Sequence, residues 1–128
     1  MRYLGIDYGS RRVGVAISDE GGVFAFPRET MRVSSIDGAV RCIKNIVQEE
    51  KVDTIIIGLP VSYAGGESEQ ARTVRSFAAL LSNAVQLPIE FQNEILSSKV
   101  ATREGIGDER IDAAAAALIL QAYLDSRS

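Results

Sequence analysis

Residues 52–58, Val-Asp-Thr-Ile-Ile-Ile-Gly, constrain the fold more than any other stretch of the chain. Consecutive side chains of a strand point to opposite faces, so three successive isoleucines leave neither face for water. The run is the pattern of a strand buried on both sides, which needs helices above and below its sheet. The sequence offers those helices. Ser34-Ser35-Ile36-Asp37 reads as a capping box, and Val40, Ile43, Ile46 and Val47 then recur at helical spacing up to Lys51. Ala71, Val74, Phe77, Ala78 and Leu81 mark a second helix on which Arg72, Arg75 and Ser76 face elsewhere. Residues 109–124 predict a third, capped by Asp108, whose run from Ala113 to Ala117 has side chains small enough to lie close on a sheet.

The remaining strands fall on both sides of that run. Residues 2–8 and 12–18 predict a hairpin, and Val23 to Met31 extend it into a meander that contains the edge-compatible Pro27. The central strand is expected to end at Leu59-Pro60, followed by a polar loop through Gly65-Gly66. Pro88 to Gln92 read as a short strand closing on Asn93-Glu94, then a short helix over about 97–104 broken at Gly105-Ile106-Gly107. A meander followed by alternating strands and helices gives an α/β fold. Its sheet is mixed and five-stranded, three strands antiparallel and two parallel, with helices on its faces. The 128 residues are enough for one core and show no repeat or linker, so residues 1–128 are expected to form a single domain.

Composition removes whole classes of chemistry. The chain has no histidine, which excludes a Ser-His-Asp triad, a Cys-His pair and a His-ligated zinc. Its single cysteine, Cys42, lies in a helical apolar pattern and reads as a small buried hydrophobe. Carboxylates, Lys or Tyr must therefore carry any catalysis. The net charge of -3 does not favour a nucleic-acid partner by itself, although Arg11, Arg12, Arg28 and Arg32 cluster early and Arg72, Arg75, Lys99 and Arg103 later. Neither a leader nor an apolar stretch of spanning length is recognisable, so a cytoplasmic protein without membrane contact is expected.

The acidic residues with special positions are few. In Gly5-Ile6-Asp7-Tyr8-Gly9 a carboxylate ends an apolar strand and meets a glycine. Asp7 there suits a metal ligand, or begins an ordinary turn. Gly9 and Gly14 lack a Cβ and reach positive φ cheaply, so a backbone or a phosphate can approach, while Arg11 and Arg12 add charge for an anion. Asp19, before Glu20-Gly21-Gly22, reads as a turn residue. Glu94 ends the last strand. Asp112 shares a helix face with Ala116, Ile119 and Tyr123 by their spacing, and is either a first-turn acid favoured by the helix dipole or a ligand. Jointly, Asp7, Glu94 and Asp112 are what two magnesium ions need for in-line attack on a phosphodiester.

These segments, with Arg12-Val13-Gly14-Val15-Ala16, Gly58-Leu59-Pro60, Asn93-Glu94-Ile95-Leu96-Ser97-Ser98 and Ile111-Asp112-Ala113-Ala114 through Gln121, closely resemble the YqgF family, also called RuvX. The resemblance runs in order from Tyr3 to Leu124. It implies an RNase H-like fold and a Holliday junction resolvase-like nuclease that matures pre-16S ribosomal RNA. It further implies Asp7, Glu94 and Asp112 as metal-holding catalytic residues with Mg2+ or Mn2+. Gly9, Arg11, Arg12 and Gly65 are expected to position nucleic acid, with a monomer or homodimer as the acting unit. The family usually has Asp-Glu-Arg where this chain has Asn93-Glu94-Ile95, which removes one positive charge beside the ligand. The alternatives are resolution of a DNA junction by the same carboxylates, or a nucleic-acid-binding module of weak catalysis.

Overall fold

In a computed structural model of the chain, residues 1–9, 11–61, 68–95 and 109–127 are described. The loop through Gly65-Gly66, the helix near 97–104, the break at 105–107 and the cap at Asp108 fall outside these residues. The elements are β1 (Tyr3–Tyr8), β2 (Arg12–Ser18), β3 (Ala25–Arg32), α1 (Ile36–Glu50), β4 (Thr54–Val61), α2 (Glu69–Val85), β5 (Ile89–Ile95) and α3 (Glu109–Ser126). The strands form one sheet in the order β3-β2-β1-β4-β5. β1, β2 and β3 are antiparallel, and β4 runs parallel to both β1 and β5, as the α/β reading requires.

The central run is buried on both faces as expected. Ile55, Ile57 and Leu59 join Leu4, Ile6, Val13 and Val15 in a core beneath α1 and α2, while Ile56 joins Tyr3, Ala16, Ala116 and Leu120 beneath α3. Every predicted apolar position of α2 is buried. α1 and α2 start where hydroxyl caps place them: Ser35 Oγ accepts from the Gly38 N–H at 3.0 Å and Ser68 Oγ from the Ala71 N–H at 3.1 Å. The third residue of α1 is Gly38, so the side chain that would complete a capping box is missing and Ser35 caps alone. Cys42 is only half-buried, because Ala39, Ile43, Ile46 and Val47 take the inner stripe of α1.

Two strands run longer than predicted. β4 continues through Pro60 to Val61. Its pairing with β1 ends at Ile57, so the missing Pro60 N–H costs no bond on that side. The extended β4 in turn gives β5 partners beyond Gln92: Leu59 opposes Asn93, Pro60 opposes Glu94, and Val61 opposes Ile95. Glu94 thus lies within a strand rather than after it.

Candidate active site at the strand ends

β1 sorts its residues by parity. Leu4, Ile6 and Tyr8 face the core under α1 and α2, which places Gly5 and Asp7 on the face covered by α3. Asp7 is paired with Gly14 of β2, and Gly14 with Thr30 of β3, so a carboxylate, a bare backbone and a hydroxyl lie side by side in one row across three strands. The first turn of α3 rests on that row. A Cβ built at Gly14 would sit 3.0 Å from the Ala113 nitrogen and closer still to the carbonyl of Asp112. The Ala113 N–H donates to Thr30 Oγ1 at 3.1 Å.

This contact brings Asp112 to the face of the sheet that carries Asp7. Both are buried, each 9% exposed. The shared helix face read from spacing is present: Ala116, Ile119 and Tyr123 are buried along with Asp112. Further along α3, a Cβ at Gly5 would meet Leu120 Cβ at 2.7 Å, so small residues keep the helix low on the sheet over its length. Gln121 anchors it to the edge, accepting from the Ala25 N–H and donating to the Val23 carbonyl, each at 2.9 Å.

Two buried carboxylates on one face need compensating charge. Arg12 supplies part of it, with Nε 3.0 Å from Asp112 Oδ2. Parity puts Arg12 on the same face as Gly14, and register puts Arg32 opposite it. Together with Arg11 and Gly9 these residues line an open cleft of about 890 Å³ whose other wall is the start of α2, at Ser68, Glu69 and Thr73. Tyr8 closes the cleft floor, stacked on Phe77 with centroids 4.2 Å apart, and burial pushes its phenol pKa up. Gly9 donates to the Arg12 carbonyl at 3.0 Å, and a Cβ there would meet that oxygen at 2.8 Å.

The close approach of a backbone expected at the two glycines is present, without the positive φ. Neither Gly9 nor Gly14 has positive φ; among the described glycines only Gly22 does, at 69°. Close approach is what requires them, and at Gly14 the approaching group is the backbone of α3 rather than a phosphate. Glu90 of β5 accepts from the Tyr123 hydroxyl of α3 at 2.6 Å, and the side chain of Glu94 lies outside the described residues. Gly65 lies outside the described residues. Sequence reading missed Thr30, for which the only signal was its register opposite Gly14. That register was hidden by the bulge that shifts β3 between Val15 and Ala16.

With this geometry in place, comparison with known proteins gives one answer. The family model described as RuvX, Holliday junction resolvase, matches residues 1–126. A protein of Maridesulfovibrio salexigens named "Putative pre-16S rRNA nuclease" is 41% identical, covering 97% of this chain and 98% of its own length. A protein of Trichormus variabilis with the same name is 42% identical, covering 97% of this chain and 87% of its own length. Among solved structures, Thermus thermophilus RuvC superimposes with a TM-score of 0.63 at 14% identity, over 99% of this chain and 96% of that one. The fowlpox virus Holliday junction resolvase does so with a TM-score of 0.61 at 13% identity, over 98% of this chain and 99% of the other. The fold is therefore that of the RNase H-like resolvases, and by sequence the chain belongs to the RuvX family.

Proposed function

We propose that this chain is a divalent-metal-dependent nuclease that hydrolyses phosphodiester bonds in structured nucleic acid, with precursor 16S ribosomal RNA as its substrate. The observation that carries the proposal is the seating of the first turn of α3 on Gly14. That contact sets the buried carboxylate of Asp112 on the same sheet face as Asp7, beside a cleft lined by Arg11, Arg12 and Arg32. The names of relatives at 41% and 42% identity support the ribosomal substrate. The acting unit in this reading is one RNase H-like domain over residues 1–128 of a cytoplasmic protein, and among the described residues no helix is long and apolar enough to cross a membrane.

Oxygen donors on buried carboxylates are the set preferred by Mg2+ and Mn2+, so the residues present fit such ions. Asp7 and Asp112 would hold them, with Glu94 as the third ligand. Bound there, the ions supply activation of a water and stabilisation of the leaving oxygen. The chain's own contribution is placement. Rigid strand and helix positions fix Asp7 and Asp112, the Arg11 and Arg32 guanidiniums draw the phosphate backbone to the cleft, and the turn at Gly9 leaves that backbone room.

The test is cleavage of a structured precursor RNA and of a four-way DNA junction with magnesium or manganese. Asp7→Asn and Asp112→Asn should each lower the rate by about a hundredfold or more while the proteins stay folded, since each variant removes a charge the transition state needs. Cleavage that survives both substitutions would remove these carboxylates from the mechanism. Preferential cleavage of the junction would replace the ribosomal substrate with DNA, and retained RNA binding without cleavage would leave a binding module.

A further inference from the structure

We propose that Arg12 is the resident counter-ion of the carboxylate site and passes to a substrate phosphate when a divalent cation arrives, which couples metal binding to nucleic-acid binding. The inference rests on the metal-dependent reading above and assigns Arg12 a positioning role within it. Arg12 Nε lies 3.0 Å from Asp112 Oδ2, the two side chains being 24% and 12% exposed. Both residues line the same cleft, so the guanidinium has open space on one side and a buried carboxylate on the other.

Charge determines which side it takes. Asp112 Oδ2 faces the Arg12 guanidinium at 3.0 Å, so a divalent cation that binds this carboxylate competes with Arg12 for it. Once such an ion is held by Asp112, it adds two positive charges beside the guanidinium and gives the Asp112 oxygen a stronger partner. The attraction that held Arg12 becomes repulsion. Asp112 is anchored independently of this pair through the Ala113 N–H on Thr30 and the contact at Gly14, so the site does not need Arg12 to keep its shape. The displaced guanidinium stays in the cleft with Arg11 and Arg32, where its planar fork matches the oxygens of a phosphodiester. Because coupling between two binding events is reciprocal, phosphate bound by Arg12 must also favour the cation. A guanidinium that only braces α3 would show no such coupling.

The experiment titrates magnesium alone into wild type, Asp7→Asn and Arg12→Gln by calorimetry, and follows the Arg12 Nε–H resonance of the wild type by NMR. Removing one like charge beside the ion should tighten magnesium binding in Arg12→Gln by at least about tenfold. In the wild type, magnesium should shift the Arg12 Nε–H resonance, a readout that does not depend on any variant folding. Magnesium should strengthen binding of an uncleaved RNA hairpin to the wild type, and much less to Arg12→Gln. Unchanged or weaker magnesium binding in Arg12→Gln, or an Arg12 resonance indifferent to the ion, overturns the inference while leaving the nuclease reading intact. If wild type binds no magnesium, or binds it equally after Asp7→Asn, both readings fall together.

Discussion

Replacing Gly14 with alanine tests the contact on which the candidate site depends. The added Cβ would sit 3.0 Å from the Ala113 nitrogen and closer to the Asp112 carbonyl, and every atom it meets is backbone. Ordinary carbon contacts lie near 3.5 Å, so the first turn of α3 has to retreat by on the order of an ångström. Overpacking of this kind costs about 1–3 kcal/mol. The retreat also stretches the Ala113 to Thr30 hydrogen bond, now 3.1 Å, which contributes about 1 kcal/mol. A loss of about 2–4 kcal/mol follows, or roughly 1–2 M in the urea midpoint at the slope usual for small proteins. Gly38→Ala is the control: its Cβ meets only Ser35 Oγ, at 3.2 Å, inside α1, where alanine gains helix propensity of up to about 1 kcal/mol. Equilibrium unfolding in urea measures both variants. A Gly14→Ala loss below about 1 kcal/mol, or one matched by Gly38→Ala, would refute the seating of α3 on β2. Since the displaced turn carries Asp112, Gly14→Ala should also weaken magnesium binding in whatever fraction remains folded.

Ser68→Ala removes the hydroxyl that caps α2 at the cleft and should cost about 1 kcal/mol in urea unfolding; an unchanged midpoint would deny the cap. Asp19 Oδ1 accepts from the N–H groups of Val23 at 2.8 Å and Phe24 at 3.0 Å, and these bonds, Phe24 first, hold its pKa below the ordinary range. Its contribution is therefore complete above about pH 4 and lost as pH falls toward the lowered folded value. Stability measured against pH should fall less steeply below about pH 4 in Asp19→Asn than in wild type, and parallel curves would contradict the hairpin geometry.

The parts of the molecule legible in the sequence are those set by local pattern. The three isoleucines at 55–57 required cover on both faces, and the cover is there. The spacing of Asp112, Ala116, Ile119 and Tyr123 marked the inner face of α3 before any packing was known. What was not legible depends on partners distant in sequence. Pro60 reads as a stop until the end of the β1 ladder at Ile57 shows that its N–H is not needed there. Arg12 read as a group for an external anion, because sequence does not say which carboxylate a guanidinium will find. Gly14 read as room for a backbone or a phosphate, and the sequence does not say that the group pressing on it is the backbone of α3. Asp19, read as a turn residue, is one.

Fold and site depend here on the same parity. A slip of one residue in β1 would turn Asp7 into the core that Leu4, Ile6 and Tyr8 now fill, and would put those apolar side chains where α3 now rests. The penalty for that slip is large on both faces, since it buries an unpaired charge on one side and forces α3 away from the sheet on the other. The column of small residues beneath α3, Gly5, Gly14 and Ala16, therefore does two things at once. It lets a helix with little side-chain bulk of its own lie low on the sheet. By doing so it carries a carboxylate from a residue more than a hundred positions away in sequence to the strand end that bears Asp7. Substituting bulk for smallness along this column should separate catalysis from folding in proportion to position. At Gly5, beneath Leu120, the effect should be mainly on stability; at Gly14, beneath Asp112, it should fall on both stability and metal binding.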